Sequence, residues 1–137
     1  MDAKSYLNII KRNRALIRTK TAEKQYWLDM AANASSTMDG DRVQSSGSGH
    51  SMEIKVVEAV LIDQEIERLK QEIKDVIHTL ERLKPNEYKL LHSVYVQERT
   101  LKEFRMDEGK SYSWATTTKR KALRNLQKLL EESEKCI

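Results

Sequence analysis

The chain has 137 residues, of which 39% are hydrophobic and 34% are charged, and its formal net charge is +4. This length forms one compact domain, or one small domain with a helical appendage. No apolar run reaches the ~20 residues of a membrane span, and the N-terminal residues lack the apolar core of a signal peptide. A single cysteine, Cys136, excludes an intramolecular disulfide, so we expect a cytosolic protein.

The chain contains one proline and four glycines, so little interrupts helices and an all-α fold is predicted. A first helix is predicted from Asp2, which can cap it, to about Ala32. Between Lys4 and Lys24 this helix carries seven cations and one acidic residue, Glu23. Basic helices of this kind bind DNA phosphates or an acidic protein face.

Residues 33–51 break this helical pattern. They include three of the four glycines and six serines, and Asp39-Gly40 is a favoured turn pair. The stretch is predicted to be a loop. A flexible connector is the simpler interpretation, and a binding loop is the alternative.

A second helix is predicted from Met52 to Leu83. Its apolar residues alternate steps of three and four, as in a heptad seam: Ala59, Ile62, Ile66, Leu69, Ile73, Val76, Leu80 and Leu83. Its flanks are acidic on balance, so it suits an antiparallel hairpin with the basic first helix. Further apolar residues widen the stripe: Val56, Val57, Val60, Leu61 and Ile77. They predict a second neighbour, either a homodimer partner docked along Ala59–Leu83 or the C-terminal part of the chain.

Proline ends this helix, because Pro85 restricts the residue before it. Helices are then predicted over Pro85 to about Glu98 and Leu101 to about Asp107, the second capped by Thr100 in a capping box with Glu103. Gly109 supplies a turn. The predicted domains are residues 1–84, a helical hairpin or coiled coil, and residues 85–137.

The last predicted helix, Ser111–Leu130, contains no acidic residue. Ser111 or Ser113 can cap it. Four residues at helical spacing form a buried face: Ala115, Ala122, Leu126 and Leu130. Hydroxyls near the start and cations further along suit a DNA major groove. An ordinary basic surface helix is the alternative.

Short helices separated by the Gly109 turn describe a helix-turn-helix. The runs that carry a resemblance are Pro85–Tyr88, Tyr95–Gln97, Thr100–Phe104, Gly109, Ser111–Ser113 and Lys121–Leu126. They resemble region 4, the promoter-reading domain of bacterial sigma-70 factors. With Met38–Ser48 and Ser111–Trp114, nearly the whole chain is similar to the ArpU-like late-gene transcriptional regulators of phages. Arg105, Glu108 and Thr118 depart from the residue types usual at their positions.

The resemblance implies DNA contacts from one side of the last helix. The implied residues are Tyr112, Ser113, Trp114, Thr116, Thr117, Arg120, Lys121 and Arg124. Base edges would be contacted by Ser113, Thr116 and Thr117. A thymine methyl or the sugar-phosphate chain would be contacted by Tyr112 or Trp114. The three cations would neutralise phosphates. For Trp114, packing on the preceding helix is an equal alternative.

We therefore expect a sequence-specific DNA-binding transcription regulator, similar to those that activate phage or prophage late genes with the host RNA polymerase in the bacterial cytoplasm. The alternative is a phage DNA-packaging protein similar to a small terminase subunit. A third interpretation is a helical adaptor that binds polymerase and not DNA. No enzyme, cofactor or metal site is expected: His50, His78 and His92 are scattered, and Ser46–Gly49 lacks the spacing and lysine of a phosphate-binding loop.

Overall fold

The computed structural model describes the backbone of residues 1–36 and 45–135 and the side chains of residues 1–33 and 53–134. Its helices are α1 (Ala3–Ser36), α2 (Ser45–Leu80), α3 (Pro85–Leu91), a π-helical turn (His92–Val96), α4 (Leu101–Glu108) and α5 (Tyr112–Lys135). The described ranges contain no strand, so the predicted all-α class is confirmed. No described helix has both the length and the apolar character needed to span a membrane.

The predicted loop is wrong at both ends. Helix α1 continues to Ser36 instead of ending near Ala32, and α2 begins at Ser45 instead of Met52. Serine costs a helix only about half a kcal/mol relative to alanine and an isolated glycine about 1 kcal/mol, so composition alone does not end a helix. Residues 37–44, which include the Asp39-Gly40 pair, lie outside the described residues.

The chain divides into two compact units, and their boundary differs from the predicted division between residues 84 and 85. The first unit is Met1–Asn13 together with Gln71–Ile137, and the second is Arg14–Lys70. The start of α1 and the end of α2, which were predicted to belong to the hairpin, therefore belong to the same unit as the C-terminal helices. The reason is a shared core.

The core of the first unit draws on α1, α2, α3 and α5. Its fully buried side chains form one cluster: Leu7, Ile10, Leu80, Leu90, Leu91, Ala122 and Leu126. Leu7 and Ile10 come from the start of α1, and Leu80 is the last residue of α2. Because these residues share one apolar interior, both helix ends are held by the same burial that stabilises the C-terminal helices.

Polar contacts fix the start of α1 in this unit. The Asp2 carboxylate accepts a hydrogen bond from the Ser5 backbone N–H at 2.7 Å, which confirms the predicted cap and lowers the pKa of Asp2. The Ala3 N–H donates to Gln127 Oε1 of α5 at 2.8 Å. The Tyr6 hydroxyl shares a hydrogen bond of 2.8 Å with Thr79 Oγ1 of α2.

In the second unit, α1 and α2 run antiparallel. Lys20 Nζ lies 2.6 Å from Glu65 Oε2, and Lys24 Nζ lies 3.0 Å from Asp63 Oδ1. The lysines advance along α1 while their partners step back along α2, which confirms the predicted hairpin. The hydrogen bond to Glu65 raises the pKa of Lys20, and the same bond lowers the pKa of Glu65.

The heptad seam of α2 is covered within the single chain. Six of its eight residues are buried: Ala59, Ile62, Ile66 and Leu69 in the second unit, and Val76 and Leu80 in the first. Ile73 and Leu83 are half-buried against the core of the first unit. The predicted homodimer surface along Ala59–Leu83 is therefore corrected, because these side chains are not free to meet a second subunit. For this seam, the intramolecular alternative holds.

Candidate nucleic-acid interface

Residues next to its own termini define both ends of α4. The Thr100 hydroxyl oxygen accepts from the Glu103 N–H at 3.1 Å and the Glu103 carboxylate accepts from the Thr100 N–H at 3.4 Å, so the predicted capping box is confirmed. The helix ends at Gly109, which has a left-handed φ of 66°. The Lys110 N–H then donates to the Arg105 carbonyl at 2.9 Å, as in a Schellman ending. A residue with a Cβ would be strained at Gly109.

The next helix starts almost at once. The Ser111 hydroxyl oxygen accepts from the Trp114 N–H at 3.0 Å, so Ser111 is the cap of α5 and Ser113 is not. Only residues 109–111 separate α4 from α5. A connection this short fixes the direction in which α5 leaves α4, and the turn is confirmed where the sequence predicted it.

The inner face of α5 packs into the core. Ala115, Ala122 and Leu126 are fully buried, as predicted, and Thr118 is buried with them. Thr118 therefore places a hydroxyl group at a core position of α5.

Two polar contacts tie α3 to its neighbours. The Asn125 amide donates to both carboxylate oxygens of buried Glu87, at 3.0 and 2.9 Å, which joins α5 to α3. Lys89 Nζ lies 2.6 Å from Glu108 Oε1, which joins α3 to α4 and gives the half-buried Glu108 a partner. Glu87 and Asn125 were not predicted to be positioning residues. A buried carboxylate needs such a donor, because an unpaired one is costly.

The outer face of α5 carries a single row of polar and basic side chains. Ser113, Thr117, Arg120 and Arg124 follow one another at steps of four, three and four, and all are exposed, as is Lys121 beside them. The stretch from Tyr112 to Leu130 contains no acidic residue. Among the described residues, none of these three cations forms an ion pair. Exposed hydroxyls therefore lie on the first turns of this face. The exposed cations lie on the turns that follow, without an acidic partner among the described residues.

Lys128 extends this row. It is exposed and lies one turn beyond Arg124 on the same side of the helix. The sequence-based set of contacts did not include it, although its spacing from Lys121 and Arg124 was visible. We call Ser113, Thr117, Arg120, Lys121, Arg124 and Lys128 the basic face of α5.

Three of the eight residues predicted to contact DNA lie off this row. Tyr112, 62% exposed, is at the first position of α5. Trp114 is half-buried and stacks on Phe104 of α4, with ring centroids 6.1 Å apart and planes 8° apart. Lys110 Nζ sits 5.7 Å from the Trp114 ring. Trp114 thus takes the packing role that was its alternative.

The Thr116 side chain also lies off the exposed row of α5. It is half-buried, and its hydroxyl donates to the Tyr112 carbonyl of its own helix at 2.9 Å. A hydroxyl that is bonded to its own backbone has less capacity for a base edge. The base-contacting candidates are therefore reduced to Ser113 and Thr117.

Within the described side chains, no group of three or more His, Cys, Asp or Glu is placed to hold a metal ion. His92 instead lies against Tyr88, with ring centroids 5.5 Å apart. No protein-family model, no curated protein and no solved structure matches the chain. The basic face of α5 and the helices that hold it are therefore the features of the chain that bear on its function.

Proposed function

We propose that the chain is a sequence-specific DNA-binding transcription regulator, in which α4, the turn at residues 109–111 and α5 act as a helix-turn-helix. The observation that carries this proposal is the basic face of α5. It combines exposed hydroxyls at Ser113 and Thr117 with four exposed cations on the same side of one helix, and none of the four forms an ion pair among the described residues. In a recognition helix, N-terminal side chains contact base edges while the surrounding cations contact phosphates.

The order of side chains along α5 supports this division of roles. Ser113 and Thr117 are short and can bring the helix close to the base pairs, where a hydroxyl donates to or accepts from any base edge. Arg120, Lys121 and Arg124 have long side chains that can reach the phosphates flanking the groove. The N-terminal end of the helix also carries the positive pole of its dipole, which favours approach to a polyanion.

The biological setting comes from the resemblance to ArpU-like regulators. In this proposal the protein activates phage or prophage late genes together with the host RNA polymerase, in the bacterial cytoplasm, and carries out no catalysis. Double-stranded DNA is its direct partner. What supports the setting is the set of sequence runs from Pro85 to Leu126 and the stretch Met38–Ser48.

Two alanine substitutions on the basic face should have different consequences. We expect Thr117→Ala to narrow the affinity gap between operator and random DNA, because a base-edge contact contributes ~1–3 kcal/mol of discrimination. Lys121→Ala should weaken binding to both DNAs about equally and lower the salt slope by about one, because a phosphate contact carries no sequence information. Fluorescence anisotropy at several salt concentrations measures both quantities.

Lys119→Ala is the matched control. Lys119 lies between the two test positions but is half-buried and off the exposed row, so both affinities should stay close to those of the unaltered protein. Equal losses on both DNAs for Thr117→Ala would show that another face of α5 meets the bases.

A further inference from the structure

The start of α1 carries exposed cations that are not part of the hairpin. Residues 3–13 belong to the first unit and contain no acidic residue. Lys4, Lys11 and Arg12 are exposed, and none of them forms an ion pair among the described residues. Further along α1, Lys20 and Lys24 pair with acidic residues of α2. The hairpin therefore accounts for these two lysines but not for the three earlier cations.

Helix α1 begins at the edge of the basic face of α5. The N–H of its first residue, Ala3, donates to Gln127 Oε1 at 2.8 Å. Gln127 comes three residues after Arg124 and seven after Arg120, so these three side chains are neighbours on one side of α5. Lys4 is the next residue of α1. The cations of α1 thus start where a row of cations on α5 already lies.

The same side of α1 reaches the segment that leads into α4. Lys11 is two turns beyond Lys4 on one side of the helix. A recess between α1 and the end of the π-helical turn is lined by Asn8, Lys11, Val94, Tyr95 and Glu98. Glu98 comes two residues before Thr100, the cap of α4. In a helix-turn-helix the first helix crosses the DNA backbone, so this side of α1 lies next to the part of the motif that approaches phosphates.

Charge favours a polyanion as the occupant of this surface. The exposed Glu98 carboxylate offsets one cation in the recess, but Lys11 and the adjacent Arg12 together exceed it. The Asp2 carboxylate already accepts the Ser5 N–H as the cap of α1. Because the basic face of α5 adjoins the start of α1, one DNA duplex can contact both helices.

We propose that Lys4, Lys11 and Arg12 bind phosphates of the DNA that flanks the sequence read by α5. This inference rests on the proposed function and adds a second helix to the DNA-binding surface. Lys11 lies eight residues along α1 from Ala3, or about 12 Å, which equals the length of about four base pairs. Phosphate contacts raise the affinity for any sequence and make it depend on salt, so they add strength without adding discrimination.

Duplexes of two lengths test the proposal with the full chain. The short duplex ends at the base pairs that binding-site selection defines, and the long one extends them by about ten base pairs, one helical turn, on each side. On the long duplex, Lys11→Ala with Arg12→Ala should weaken binding roughly tenfold and lower the salt slope by about two. On the short duplex both quantities should change little. The preference for operator over random DNA of equal length should stay the same.

Two further variants separate a local contact from the overall charge. Lys11→Arg with Arg12→Lys keeps both charges and should bind the long duplex like the unaltered protein. Lys74→Ala with Arg82→Ala removes two charges from other exposed positions of the first unit and should cost less than about threefold. The thermal midpoint, followed by circular dichroism, verifies that each variant is folded.

The outcomes distinguish this inference from the proposed function. An unchanged salt slope for the alanine variant on the long duplex, with operator preference intact, would overturn the inference and leave the proposed function standing. Equal losses on both duplexes would also overturn it, because the cations would then not act on the flanking DNA. Binding without sequence preference would contradict the proposed function alone, and the salt slope on random duplexes would still decide the role of α1. A protein that binds no DNA would refute both.

Discussion

Reversing the charge at Arg120 and Arg124 together should abolish specific DNA binding at physiological salt. Both residues are exposed on the basic face of α5, and the glutamates would meet phosphates where cations stood. Charge-assisted hydrogen bonds contribute ~1.5–3 kcal/mol each, so losing two predicts roughly a 100-fold or greater fall in affinity before repulsion is counted. Electrophoretic mobility shifts with a selected operator measure the loss.

The control must separate a local contact from the overall charge. Lys74→Glu with Arg82→Glu reverses two other exposed cations of the first unit. Each reversal removes two charges, so both double variants fall from the formal +4 to neutral. The control should lose affinity only slightly. Similar losses in the two variants would mean that the general field of the protein, and not α5, holds the DNA.

Ile66→Asp should destabilise the hairpin severely. Ile66 is 6% exposed on the seam of α2, so an aspartate there would be buried without a partner. Losing the apolar side chain and burying a charge should together lower the free energy of unfolding by roughly 3 kcal/mol or more. Urea denaturation followed by circular dichroism measures the change.

Gln64→Asp places the same residue on the same helix two positions earlier. Gln64 is exposed, so this change should stay within about 0.5 kcal/mol. Equal effects of the two substitutions would show that the seam of α2 is not covered by its own chain.

Features set by a few neighbouring residues were predictable from the sequence. Asp2, Thr100 and Ser111 cap helices because each oxygen meets an N–H three residues further on. Gly109 ends α4 because its left-handed φ suits glycine. The buried face of α5 follows from spacing alone, since Ala115, Ala122 and Leu126 recur on one side.

Features that depend on distant residues were not predictable in the same way. Periodicity showed that the seam of α2 is buried but not what covers it. The packing of Trp114 depends on Phe104, which lies ten positions earlier on another helix. The contact between Glu87 and Asn125 joins residues 38 positions apart.

The end of the predicted helix over residues 85–98 shows a further limit. The structure replaces its second half by the π-helical turn His92–Val96, and Glu98 takes a positive φ of 58°. Neither feature has a signal in the local residues, since no glycine stands there. Such irregular turns are stabilised by their surroundings, which a periodic pattern does not describe.

Selection of binding sites from a random DNA pool tests the central claim most directly. The purified full chain should enrich a common sequence over successive rounds, and Arg120→Glu with Arg124→Glu should enrich none. The enriched sequence should bind at least 1,000-fold more tightly than random DNA of equal length, in line with the usual margin for specific binding proteins. Retention that increases with DNA length and shows no sequence preference would contradict a regulator that reads bases through α5.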